Sequence, residues 1–186
     1  MSDQMMSQNI TWIVNLDASA NEASTIGKRV EQWLAEQGIV NPGKELPGLM
    51  GKPLFARGPS AALWDDGSFD GPETLCGLEI AIGRKVYHTG GHGIDALRCP
   101  SCNLSHDPDV VPWSDAVGAW HACEGDDHLA CPGCAMRSNI VDWDFTLPWG
   151  FGNLAFGFWN WSIDGRIHSE LSALTGHRYR VVHEQI

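Results

Sequence analysis

The stretch LAFGFWNWSIDGRIHSELSALTGHRYRVVH, residues 154–183, carries the pattern that decides the fold. Its first part, residues 154–161, is apolar on both faces except at Asn160, which predicts a buried strand. A helix is predicted to begin after Ser162 as its N-cap and to end at Gly176. Residues 178–183 predict a closing strand. The stretch therefore predicts strand, helix, strand.

The N-terminal part of the chain repeats this order. Residues 10–16 alternate with a period of two and predict a strand with one strongly apolar face. Ser19 and Glu22 form a capping box that opens a helix ending at Gly38, and residues 78–88 predict the next strand. The fold class predicted is α+β, a ferredoxin-like split βαβ sandwich in the order strand, helix, strand, insert, strand, helix, strand.

The insert separates two parts of one core domain. We expect residues 1–96 and 146–186 to form this α+β core and residues 97–145 to form an inserted module, called the cysteine module below. Within the core, 11 of the 36 residues in 41–76 are Gly or Pro. Such a composition predicts a long loop rather than long regular elements.

The cysteine module takes its name from two CxxC pairs. Six cysteines occur in the chain, and four of them form Cys99-Pro-Ser-Cys102 and Cys131-Pro-Gly-Cys134. Two such turns complete a tetrahedral shell of four sulfurs for zinc. A redox dithiol is the alternative, but neither motif opens a helix next to a strand.

The paired CPxC turns resemble the knuckles of zinc-ribbon modules, over residues 97–143 only. The resemblance implies that Cys99, Cys102, Cys131 and Cys134 are the ligands of one structural Zn²⁺. A glycine often follows each knuckle because the turn favours a left-handed residue, and Asn103 and Ala135 stand there instead.

The module contains further residues of ligand type. His106, His121, Cys123 and His128 are interpreted as solvated loop residues, since four cysteines already complete the shell. A site closed by four protein ligands leaves no position for water, so we expect a structural centre with no catalytic role.

Charge limits the choice of partner. The formal net charge is -11, and the cysteine module holds 8 acidic residues against 2 basic ones. Repulsion from phosphates therefore disfavours a nucleic-acid-binding zinc ribbon. The sequence shows neither a secretory leader nor an apolar run long enough to span a membrane, so we expect a cytoplasmic protein without a membrane partner.

An enzyme of hydrolase or transferase type is an alternative that would use His88 and His92 at the end of the second predicted strand. A glycine-rich turn into the insert explains the same segment, and no partner base or nucleophile is fixed by spacing. We therefore favour a non-enzymatic role with no catalytic residues. Cys76 is interpreted as a small core residue.

Tryptophan content favours protein interaction. The chain holds nine tryptophans, a residue type enriched at interface hot spots. An acidic protein of this kind suits a regulatory or immunity role toward a basic protein partner, with a homodimer as a further possibility. Trp159 and Trp161 are predicted to share the sheet face without helices, and the cysteine module is expected to cover that face.

Overall fold

The computed structural model describes residues 8–48, 51–67, 75–90 and 93–186. This part of the chain is a mixed α+β protein with three α-helices and a mainly antiparallel sheet. None of its helices combines the length and apolar character needed to cross a membrane. The helices are α1 (Ala23–Glu36), α2 (Trp113–Ala122) and α3 (Arg166–Thr175). The strands are β1 (Asn9–Asn15), β2 (Val40–Pro47), β3 (Pro53–Arg57), β4 (Gly77–Tyr87), β5 (Leu97–Arg98), β6 (Ser105–His106), β7 (His128–Ala130), β8 (Arg137–Asn139), β9 (Asp144–Phe145), β10 (Gly150–Trp159) and β11 (Tyr179–Gln185).

The main sheet has six strands in the order β11-β1-β10-β4-β3-β2. The four strands predicted from sequence correspond to β1, β4, β10 and β11, and these four are consecutive neighbours in the sheet. Each neighbouring pair runs antiparallel. Helices α1 and α3 pack on one face, where Ile13, Leu154 and Phe156 belong to the main buried cluster.

Helix α1 ends where the sequence predicts. Gly38 has φ 68°, and the backbone N–H of Ile39 donates to the carbonyl of Leu34 at 2.9 Å. These contacts form a Schellman motif, which needs a left-handed residue after the helix. Half of the predicted capping box is present, because the N–H of Ser19 donates to the Glu22 carboxylate at 3.1 Å. The Ser19 hydroxyl donates to the same carboxylate instead of accepting a backbone N–H, and the helix begins one turn later than predicted, at Ala23.

The prediction of a long loop over 41–76 is also wrong. Strands β2 and β3 form a hairpin that extends the sheet beyond β4, and a short 3₁₀ helix follows at Ala61–Trp64. The glycine and proline residues are accommodated at a register shift between Asn41 and Glu45 and where Pro47 pairs with Pro53. Proline is tolerated there because a strand end or edge does not require every N–H to pair. Residues 68–74 of this segment lie outside the described residues.

One left-handed residue changes the positions of the tryptophans. Strand β10 ends at Trp159, and Asn160 follows with φ 47°. Trp161 consequently lies in the helix-side cluster, with its ring centroid 5.2 Å from that of Phe158. The prediction that Trp159 and Trp161 share a face is therefore wrong. Helix α3 begins at Arg166 rather than after Ser162, whose hydroxyl donates to Asp65 at 2.9 Å.

The sheet face opposite α1 and α3 is filled by side chains of the sheet itself. Trp12 and Trp159 are 2% and 6% exposed there, in a cluster separate from that of the cysteine module. The module packs instead around Phe151, eight residues before Trp159, and this separation is about 26 Å along a strand. The expectation that the module covers Trp159 is therefore wrong.

The close fit of Trp12 over Gly157 predicts a sensitive position. A Cβ on Gly157 would lie 2.4 Å from the Trp12 ring, so Gly157→Ala should lower the free energy of unfolding by about 1–3 kcal/mol. The control is Gly118→Ala in α2, where an added Cβ meets nothing within 4 Å and stability should be equal or higher. Urea unfolding measures both. Equal loss in the two variants would contradict this packing.

Candidate metal centre

Two small hairpins present the four cysteines of the CxxC pairs. Strands β5 and β6 pair antiparallel on either side of Cys99 and Cys102, and β7 and β8 do the same around Cys131 and Cys134. Each pair of cysteines therefore lies in the turn of its hairpin. The hairpins belong to separate small sheets, and β9 adds to the first of these by pairing with β5.

The two turns have matching backbone geometry. The N–H of Asn103 donates to the carbonyl of Cys99 at 3.0 Å, and the N–H of Ala135 donates to that of Cys131 at 2.9 Å. Asn103 and Ala135 both have φ 60°. The left-handed positions expected after each CPxC turn are thus present in both, although Ala has no side-chain hydrogen bond to favour that conformation.

Backbone donors point at the first sulfur of each turn. The N–H of Ser101 donates to Cys99 Sγ and the N–H of Gly133 donates to Cys131 Sγ, each at 3.3 Å. Such hydrogen bonds stabilise negative charge on sulfur. The turns are therefore arranged for thiolates.

The four sulfurs converge on one point. All lie within 4.8 Å of one another, with 3.9 Å between the Sγ atoms of Cys99 and Cys134 and 3.7 Å between those of Cys102 and Cys131. Four sulfurs at ~2.3 Å from a tetrahedral zinc would be ~3.8 Å apart. The thiols are free rather than joined in disulfides, so the cluster is positioned to bind a metal ion.

The acidity of the thiols is uneven. Burial raises the pKa of Cys99, but the backbone N–H donors of Cys102 and Ser101 outweigh it and lower this pKa to about 7. At Cys102 the backbone N–H of Leu104 lowers the pKa, but burial and the neighbouring sulfurs outweigh it and raise it to about 12. Binding of a cation by all four sulfurs must therefore release protons.

Of the four further ligand-type residues in the module, His106 is the one that lies beside the sulfurs. Its Nε2 lies 3.2 Å from Cys131 Sγ, and the residue is half-buried, so its interpretation as a solvated loop residue is wrong. The strand β6 turns this ring inward, and a proton on Nε2 would donate to the sulfur. Donors of this kind orient the ligands of metal sites.

The other candidates lie outside the sulfur cluster. His121 and Cys123 are exposed at the C-terminal end of α2, and Cys123 occupies its left-handed cap with φ 57°. His128 is exposed and its Nδ1 lies 2.9 Å from a carboxylate oxygen of Asp127.

The cysteine module has a small core of its own, which joins the main sheet at one end. Trp143 is fully buried in it, and α2 places Trp120 against Phe151 of β10 at a centroid distance of 5.2 Å. The Arg84 guanidinium from β4 lies 3.9 Å from the Trp120 ring centroid, and Arg84 Nε donates to the Trp120 carbonyl at 2.6 Å. The module is thereby fixed on the ends of β4 and β10.

The residues of the alternative enzyme site have structural contacts. His88 Nδ1 accepts a hydrogen bond from the N–H of Gly90 at 3.1 Å, and its ring lies 5.2 Å from that of Trp149. His92 lies outside the described residues. Cys76 is 5% exposed, and its Sγ donates to the carbonyl of Asn160 at 3.4 Å, which agrees with its interpretation as a core residue.

The positive φ of Ala135 predicts that glycine is more stable at this position. Ala135→Gly should raise the free energy of unfolding by about 0.5–1 kcal/mol, because glycine adopts positive φ without the Cβ penalty. Ala119→Gly in the middle of α2 is the control and should lower stability by about 1 kcal/mol. Thermal unfolding of the metal-loaded variants measures both. A loss of stability in Ala135→Gly would contradict the turn geometry.

No family model matches this chain, and no curated protein or solved structure matches it.

Proposed function

We propose that Cys99, Cys102, Cys131 and Cys134 bind one Zn²⁺ that holds the cysteine module folded. The observation that carries this proposal is the convergence of four free sulfurs within 4.8 Å, with Cys99–Cys134 at 3.9 Å and Cys102–Cys131 at 3.7 Å, close to the ~3.8 Å between sulfurs of a tetrahedral zinc shell. A tetrahedral set of four thiolates suits zinc or iron–sulfur chemistry. Zinc needs no further sulfide or redox partner to complete the shell.

We further propose that the core is a ferredoxin-like sandwich interrupted by the module. The consecutive order β11-β1-β10-β4, with α1 and α3 on one face, supports this assignment. The hairpin of β2 and β3 is then an extension of that sheet. The separate buried clusters of core and module support a division into residues 1–96 with 146–186, and 97–145.

In this proposal the protein acts by binding another protein, in a regulatory or immunity role, and not by catalysis. Four thiolates around zinc would leave no coordination position for water or substrate. Exposed apolar side chains follow both turns, with Leu104 53% and Met136 56% exposed. Large exposed apolar residues at a rigid site favour contact with a protein surface.

The two alternatives receive less support. The Nδ1 atom of His88 accepts a hydrogen bond from the N–H of Gly90 in a turn. This structural contact accounts for His88 without a role in acid–base chemistry. The cysteine module carries 8 acidic and 2 basic residues, which opposes contact with phosphates. Retention of a protein rather than nucleic acid from native lysate by the immobilised chain tests the interaction role.

Metal analysis tests the zinc centre. Protein purified without added metal should carry one zinc per chain by native mass spectrometry, and Cys134→Ser should lose it and be cleaved faster by protease within residues 97–145. Cys123→Ser, at an exposed cysteine outside the cluster, is the matched control and should retain the metal.

Two results would reject the centre. One is less than about half an equivalent of zinc in the unmodified protein, since structural zinc is bound tightly. The other is unchanged protease resistance of the module in Cys134→Ser.

A further inference from the structure

Strand β4 has one side that is paired along most of its length and one side that is mostly open. It pairs with β10 from Gly77 to Tyr87 with a break at Gly83 and Arg84, but β3 pairs with it only at Gly77 and Leu78. In the described ranges, no other strand pairs with that side of β4. From Arg84 onward α2 lies against the strand, because Arg84 Nε donates to the Trp120 carbonyl. Within the described part of the chain, the segment Glu79–Gly83 therefore forms an open edge.

A cleft follows this open edge where β3 diverges from β4. It has a volume of about 430 Å³ and is lined by Leu54 and Phe55 of β3 and by Ile80 and Ile82 of β4. Helix α1 closes one side at Gly27, where an added Cβ would lie 3.3 Å from Leu154 Cδ1. Ile82 is 55% exposed in this cleft. The cleft thus combines unpaired backbone with an apolar floor.

The open edge is limited in length. Five residues of extended chain span about 17 Å, the length of an ordinary strand. Gly83 ends the segment with φ 126° at a register irregularity opposite β10. Such bulges bend and twist a strand, and α2 lies against β4 from Arg84, so the edge matches one short strand rather than an extended array.

We propose that Glu79–Gly83 binds an extended segment of a partner protein, which adds to β4 as a strand in the cleft beside β3. Main-chain hydrogen bonds would supply affinity, and alternate side chains would enter the apolar floor. This proposal deepens the proposed interaction function and rests on it.

Charge specifies the partner segment further. Glu31, Glu45 and Glu79 line the cleft together with Lys28 and Lys52. Lys52 Nζ lies 3.0 Å from Glu79 Oε1, so two acidic side chains, Glu31 and Glu45, remain against the single base Lys28. The segment that fits this charge therefore alternates apolar residues with Lys or Arg. A second copy of the chain fits poorly, since each copy carries a net charge of -11 and like charges repel.

The experiment uses the full-length, metal-loaded chain and a library of nine-residue peptides in which Val or Ile alternates with Lys or Arg. The tightest peptide should protect the amides of 79–83 from hydrogen exchange. Ile82→Lys should weaken its binding at least about tenfold by filling the cleft and repelling the peptide. Leu63→Lys makes the same change at a residue 73% exposed outside the cleft and should bind as the unmodified chain does. Methylation of alternate backbone nitrogens in the peptide should abolish binding to the unmodified chain.

Several outcomes would overturn the proposal. One is that no library peptide binds more tightly than about 1 mM. Another is that Ile82→Lys and Leu63→Lys weaken peptide binding equally. A third is that peptides methylated in either register still bind. Self-association of the unmodified chain that Ile82→Lys abolishes would replace the partner by a second copy. A protein retained from lysate equally by Ile82→Lys and Leu63→Lys would leave the interaction function intact and remove the edge from it. Retention of no protein would reject the interaction function itself.

Discussion

Four thiols brought within 4.8 Å of one another impose the constraint on which the cysteine module depends. Ionised sulfurs at this separation repel, and neutral thiols are weak hydrogen-bond donors and acceptors. A bound cation would remove the repulsion and tie the two hairpins together. The regular strands of the module are only two or three residues long, so they supply little stability by themselves. We therefore expect a bound ion to contribute to the folding of residues 97–145.

The rest of the molecule depends on strand β10. It pairs with β1 and β4 on its two sides, and its first residues carry Phe151 into the core of the module. Glycine at 157 allows Trp12 to lie against the strand, while Trp159 Nε1 donates to Glu79 Oε2 at 3.0 Å. The same glutamate pairs with Lys52 beside the open edge. One buried carboxylate thus connects the packing of the second sheet face with the cleft.

Local patterns in the sequence predicted the parts of the structure that local interactions determine. The CxxC turns and the helix end at Gly38 depend on a few neighbouring residues. The hairpin of β2 and β3 was missed because its Gly and Pro content argued against strands, and because its attachment to the sheet, where Phe55 pairs with Leu78, is a distant contact. Proline and glycine content disfavours strands in general but does not exclude an edge hairpin.

Two wrong predictions, for the positions of Trp161 and His106, have equally specific causes. Trp161 changed face because of a single left-handed residue, Asn160, which alternation does not reveal. His106 meets Cys131 across 25 residues of chain, so no spacing rule places them together. A histidine at alternating spacing after the first knuckle was the signal available, and it was too weak to separate from a solvated residue.

Zinc K-edge absorption spectroscopy on protein purified without added metal tests the four-sulfur centre directly. We expect a first shell of four sulfurs at ~2.3 Å and no nitrogen or oxygen ligand. In that result His106 remains a neighbour of Cys131 rather than a ligand. A shell containing imidazole nitrogen or water oxygen, or protein that binds no zinc, would contradict the closed four-sulfur centre.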